Sequence, residues 1–179
     1  REGVAAHLIA RADVLDWATR PLTNINGASD VATVNGVTIT TTGSTAGGFN
    51  SNLMQIQPAG ASNGTTGFIN STLNATVDNE TSRQTVTFTF SEPVYNVSFT
   101  VWDLDGGPNF NDGTNFFNDI MTFTSSGGVP NGTPAAQVTW TPATGRAAAT
   151  ANGGLSGATG NITVTYPGPV TTVTVNHIA

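Results

Sequence analysis

The stretch TVTFTFSEPVYNVSFTVW (85–102) decides the fold. Read in steps of two, Val86, Phe88 and Phe90 fall on one side and Thr85, Thr87 and Thr89 on the other. After Ser-Glu-Pro the pattern resumes, with Val97, Phe99 and Val101 in one phase. A period of two, rich in β-branched and aromatic residues, is that of a strand buried on one face only. Pro93 is expected to break the first strand before the second begins, because proline cannot donate to a ladder.

The same texture spreads outward. NITVTY (161–166) alternates Ile162, Val164 and Tyr166, and VTVNHI (173–178) alternates Val173, Val175 and His177. TVNGVTIT (33–40) sets Asn35-Gly36 between two alternating runs, which is the strongest short-range hairpin signal. The glycine-rich stretches at 43–48, 58–67 and 152–160 read as loops. Only GVAAHLIARADVL (3–15) has helix-forming composition, so residues 1–12 are a linker or a short N-terminal helix. The expectation is an all-β chain: a two-sheet antiparallel β-sandwich of jelly-roll, lectin-like type with little helix, forming one domain over 1–179. Trp17, Trp140 and Tyr166 are expected in its core.

Charge narrows the partners. The chain has a formal net charge of −6, no lysine, and only Arg1, Arg11, Arg20, Arg83 and Arg146 as cations, spread along its length. Such a surface has no basic stripe for phosphates, which excludes nucleic acid and favours cations as charged partners. No run is long enough to cross a membrane as a helix. The absence of cysteine fits a bacterial exported protein better than a eukaryotic secreted one, and the chain reads as a module of a larger extracellular protein.

The acid is concentrated in DLDGGPNFNDGTNFFND (103–119), which holds four of the eight aspartates. Asp103 follows Val97, Phe99 and Val101 in phase, and Asp119 precedes Met121 and Phe123 in theirs. If the two flanking strands pair as a hairpin, both carboxylates meet at one sheet edge, with Asp105 beside them. Converging carboxylates at a half-buried edge repel each other unless they protonate or hold a cation. Calcium, which takes six to eight oxygens, answers this with Asp103, Asp105 and Asp119 as ligands and Asp112 and Asn111 supplementing them. The spacing is not that of an EF-hand, since Gly107, Pro108 and Thr114 occupy its fifth, sixth and twelfth positions. The middle of the loop also reads as ordinary turn chemistry.

Rings beside such a site suggest a ligand surface: Trp102, Phe110 and Phe116, with Asn109 and Asn115 as polar contacts. Catalysis has little support. His177 sits in an apolar phase, Glu92 in a Ser-Glu-Pro turn, and no thiol or lysine nucleophile is present. The expectation is therefore no enzymatic activity.

VLDWATRPLTNINGASDVATVNGVTITTT (14–42), VTFTFSEPVYNVSFTVWDLDGG (86–107) and NDIMTFTSS (118–126) resemble a domain of large bacterial surface proteins. Its pattern is an apolar strand ending in Asp-x-Asp, a loop, and an Asp opening the next strand. It is similar to the lectin-like, non-repetitive ligand-binding modules of CshA-type fibrillar adhesins and to the ligand-binding domains of calcium-dependent RTX adhesins. The resemblance implies a calcium-dependent extracellular module binding a carbohydrate or peptide on a host or other cell surface. It carries over Asp103, Asp105 and Asp119 as calcium ligands and no ligand-contact residue. A calcium-stiffened spacer of a surface fibre and an accessory domain of a polysaccharide-active enzyme are the alternatives.

Overall fold

The computed structural model describes residues 13–47, 49–62, 65–75, 83–108, 116–151 and 158–178; residues 1–12 lie outside that set. The strands are β1 (Thr23–Asn24), β2 (Ser29–Val34), β3 (Val37–Ala46), β4 (Phe49–Ser62) and β5 (Thr65–Ala75). Then come β6 (Arg83–Val94), β7 (Val97–Val101), β8 (Gly106–Pro108), β9 (Phe116–Asn118) and β10 (Ile120–Ser125). The last five are β11 (Asn131–Pro134), β12 (Val138–Thr141), β13 (Arg146–Ala149), β14 (Ile162–Tyr166) and β15 (Val170–Ile178). Helical structure among the described residues is limited to single 3₁₀ turns at Trp17–Thr19 and Ala158–Gly160.

The fold is an antiparallel β-sandwich. One layer is a seven-stranded sheet in the order β12-β13-β10-β15-β6-β3-β2. Its register aligns Phe123 with Val175 and Val175 with Val86, so a single apolar face runs across several strands. Two three-stranded sheets cover that face, β11-β14-β7 and β1-β4-β5. Under the first, Leu104, Phe123, Ile162, Val164, Tyr166 and Val173 are buried; under the second, Ile25, Met54, Ile56 and Val86 are. Phe88 packs against both groups. A file of rings joins them: Trp17–Phe88 at 6.2 Å, Phe88–Phe99 at 6.0 Å, Phe99–Phe123 at 6.3 Å and Phe123–Trp140 at 6.0 Å between centroids. These separations are those of favourable tilted aromatic pairs. Trp17 and Trp140 are half-buried at the ends of this file, and Tyr166 is buried within the core.

The hairpin expected at Asn35-Gly36 joins β2 to β3, with φ of 47° and 90° at its two turn residues. Positive φ at both positions gives the turn a twist that matches the strands it joins. Two local expectations give way. The break near Pro93 falls instead at Tyr95–Asn96, where Asn96 has φ 54°, and β6 runs through the proline. The ladder with β3 has already ended at Phe90, so that side of β6 needs no donor from Pro93.

The glycine-rich stretches are the second correction. Residues 43–46 belong to β3, 58–62 to β4 and 65–67 to β5, whereas 152–157 lie outside the described residues. At Gly43 the reason is close approach. Its N–H donates to Ile25 O at 2.9 Å, and its carbonyl accepts from the Gly27 N–H at 2.9 Å. A Cβ there would fall on Met54 Sδ and lie 2.8 Å from Ile25 O. Glycine lets the β1-β4-β5 sheet close onto β3, so it marks a tight layer contact within a strand.

Gly43→Ala is accordingly expected to lower stability by about 1–3 kcal/mol through overpacking. Urea denaturation followed by tryptophan fluorescence measures this, and an unchanged midpoint would contradict the close contact.

Candidate functional site

The strands flanking the acidic loop do not pair. β7 runs beside β14, with Val101 opposite Ile162, whereas β10 lies between β13 and β15 in the other layer. Both edges of β10 are already hydrogen-bonded, so β7 has no place next to it. The chain must cross between layers, and Asp103-Leu104-Asp105 makes the crossing.

Asp103 has φ 65°, a left-handed conformation that Asp and Asn tolerate better than other side-chain-bearing residues. This turn interrupts the strand alternation. Leu104, and not Asp103, enters the core, where it is 2% exposed. The strand alternation therefore does not run on through Asp103, although its carboxyl is still shielded in part. Asp119 is half-buried and stands directly before Ile120, where β10 begins.

Asp105 and Asp119 nevertheless come side by side, by a different route. β8 and β9 form a short ladder, Gly106 opposite Asn118, that brings Asp105 alongside Asp119. The Asp119 N–H donates to Asp105 O at 2.8 Å, and the Asp105 N–H donates to Asp119 Oδ2 at 2.9 Å. His177 Nε2 donates to Asp119 Oδ1 at 3.1 Å, so both oxygens of this carboxylate are oriented by donors. The Leu104 N–H reaches Gly160 O at 2.9 Å and the Gly106 N–H reaches Ala151 O at 3.1 Å. Two glycines permit this closeness. A Cβ at Gly160 would stand 2.6 Å from Leu104 O, and one at Gly106 would fall on Asn118 Oδ1. The crossover is thus held by main-chain bonds from three directions.

Asp103 itself carries the electrostatic strain. Its Oδ1 is shielded from solvent and lacks a hydrogen-bond partner among the described residues, as do Asn161 Oδ1 and the Tyr166 hydroxyl. Burial, followed by the charges of Asp105 and Asp119, holds the Asp103 carboxyl above the ordinary value of 3.8. Among the described residues, no three His, Asp or Glu side chains form a group that could hold a metal on their own. A cation here would need further oxygens from main-chain carbonyls or amides.

The remaining sequence candidates are placed as follows. Trp102 is half-buried just after β7. Asn109, Phe110, Asn111, Asp112 and Asn115 lie outside the described residues, and Phe116 is placed only by its backbone register opposite Pro108. Sequence reasoning missed the contact between His177 and Asp119. Its signal was present, because His177 ends the inward phase of Val173 and Val175.

Asp103 supports a pH prediction. Its folded-state value lies above the unfolded one, so without a cation this group favours folding most below pH 3.8 and withdraws that support as pH rises through the elevated value. Asp103→Asn preserves the left-handed turn and removes the charge. In chelator at neutral pH it should raise the thermal midpoint. A lower midpoint than wild type would show that the Asp103 charge has a partner in the cation-free protein. Compared with protein-family models, with curated proteins and with solved structures, the chain matches none.

Proposed function

We propose that this chain is a calcium-stabilised β-sandwich adhesion module of an extracellular bacterial surface protein, binding a carbohydrate or a peptide on another surface. The observation that carries the calcium part is the shielded, partnerless Oδ1 of Asp103 beside the carboxylates of Asp105 and Asp119. These acids lie on a backbone fixed by hydrogen bonds, and with main-chain carbonyls added they would offer oxygens to a hard cation; calcium tolerates such an irregular shell. Asp103 and Asp105 would be the principal protein ligands. Asp119 would contribute while its orientation is kept by His177 and the Asp105 N–H.

Adhesion rests on composition and on the resemblance to surface modules. The acids share one crossover and do not oppose each other across a cleft, which supports a binding role over glycoside hydrolysis. One observation favours the spacer reading. The two clefts described, one lined by Gly27, Ser29, Thr42, Ser44 and Thr87 and one by Val14, Thr19, Arg20, Thr33 and Asn35, include no aromatic ring.

Calcium at a hundred times its dissociation constant should stabilise the fold by about 2.7 kcal/mol. The midpoint should rise with calcium, fall with chelator and lose this response in Asp103→Asn. Equal midpoints in calcium and chelator for the wild type would remove the calcium proposal. A glycan array and a panel of extracellular-matrix proteins, each probed with and without calcium, test adhesion. Silence in all four conditions would favour the spacer.

A further inference from the structure

Among the described residues, β2 ends the seven-stranded sheet and has a hydrogen-bonded neighbour, β3, on one side only. Such an edge presents unpaired main-chain groups to any extended segment. The outward side chains of β2 are Ser29, Val31 and Thr33, all exposed and uncharged, with Val31 at 54%. Its inward phase holds Asp30 and Ala32, both buried. Asp30 is thus a carboxylate turned toward the core from an edge strand.

Arg20 meets this acid. Its Nη2 donates to Asp30 Oδ1 at 2.7 Å and its Nε to Asp30 Oδ2 at 3.2 Å, a two-pronged pair. The same Nη2 donates to Val31 O at 2.6 Å. A guanidinium that binds an inward carboxylate and a main-chain carbonyl of the next residue is folded around the strand margin. There it occupies an acceptor that an added strand would use. The segment before it flanks β2 without pairing as a strand. A cleft of about 330 Å³ remains, bounded by Val14, Thr19 and Arg20 on one side and Thr33 and Asn35 on the other.

We propose that Arg20 guards the β2 edge, and that the partner it holds off is a second copy of this chain adding antiparallel through its own β2. Charge supports this occupant. Two chains of net charge −6 repel elsewhere, but the outward side chains of β2 are uncharged and its one acid, Asp30, faces inward and is neutralised by Arg20; the exposed Asp16 lies across the cleft, on the segment before Arg20. A two-fold pairing centred on Val31 sets Ser29 against Thr33 and the exposed Val31 side chains side by side, an apolar contact free of like charges.

The test must separate edge opening from simple loss of stability, because Arg20→Ala alone strands a buried charge. Arg20→Ala/Asp30→Asn removes the guard and the charge together. Sedimentation velocity over a concentration series should give a monomer for wild type and a concentration-dependent dimer for the double variant. Hydrogen exchange at Val31 and Thr33 should slow as that dimer forms. Adding Val31→Lys, a charge on the exposed edge, should restore the monomer without restoring the ion pair. The proposal is overturned if the wild type already dimerises through β2, if the double variant stays monomeric, or if its association is indifferent to Val31→Lys.

Discussion

A continuous apolar face on the seven-stranded sheet has to be removed from water, and neither three-stranded sheet spans it alone. Most of the architecture follows from that mismatch. Burial of the inner phases of β6, β10 and β15 drives the layers together. Two separate covers must then share one floor, with Phe88 beneath the seam. Gly43 closes one cover tightly by giving up its side chain, and the β11-β14-β7 sheet brings Ile162, Val164 and Tyr166 down onto the other half.

The split cover also explains the acidic crossover. A chain that has just completed β7 on the upper layer must descend to begin β10 on the lower one, and Leu104 seals the end of the core as it passes. The residues on either side of that leucine cannot both face the interior. Asp103 takes a left-handed turn and Asp105 leads into the β8–β9 ladder, so the acidic residues fall where the chain changes layers. The site is a by-product of how the layers are joined, held in place by bonds the fold needs anyway.

What could be read in advance was local. The alternations at 85–90, 97–101 and 161–166 gave the correct faces, because side-chain period is a property of a single strand. Asn35-Gly36 gave the hairpin, because two residues carry its chemistry. The partner of each strand was not legible. β7 and β10 neighbour the same loop but lie in different layers, and that choice depends on β13, β14 and β15 far along the chain. Glycine misled for a related reason, since at Gly43 it serves a contact between layers and not a turn. The hairpin expected to bring Asp103 and Asp119 together does not form, and Asp105 reaches Asp119 through the β8–β9 ladder instead. The Arg20–Asp30 pair went unnoticed, although an aspartate in step with Ala32 in a short alternating strand was a visible irregularity.

The aromatic file from Trp17 to Trp140 bears on how the molecule can come apart. Because Phe88 belongs to both covered regions and β6 is shared by both, peeling away either small sheet uncovers rings that the other still needs. A disturbance at Phe88 is therefore felt beneath both small sheets at once.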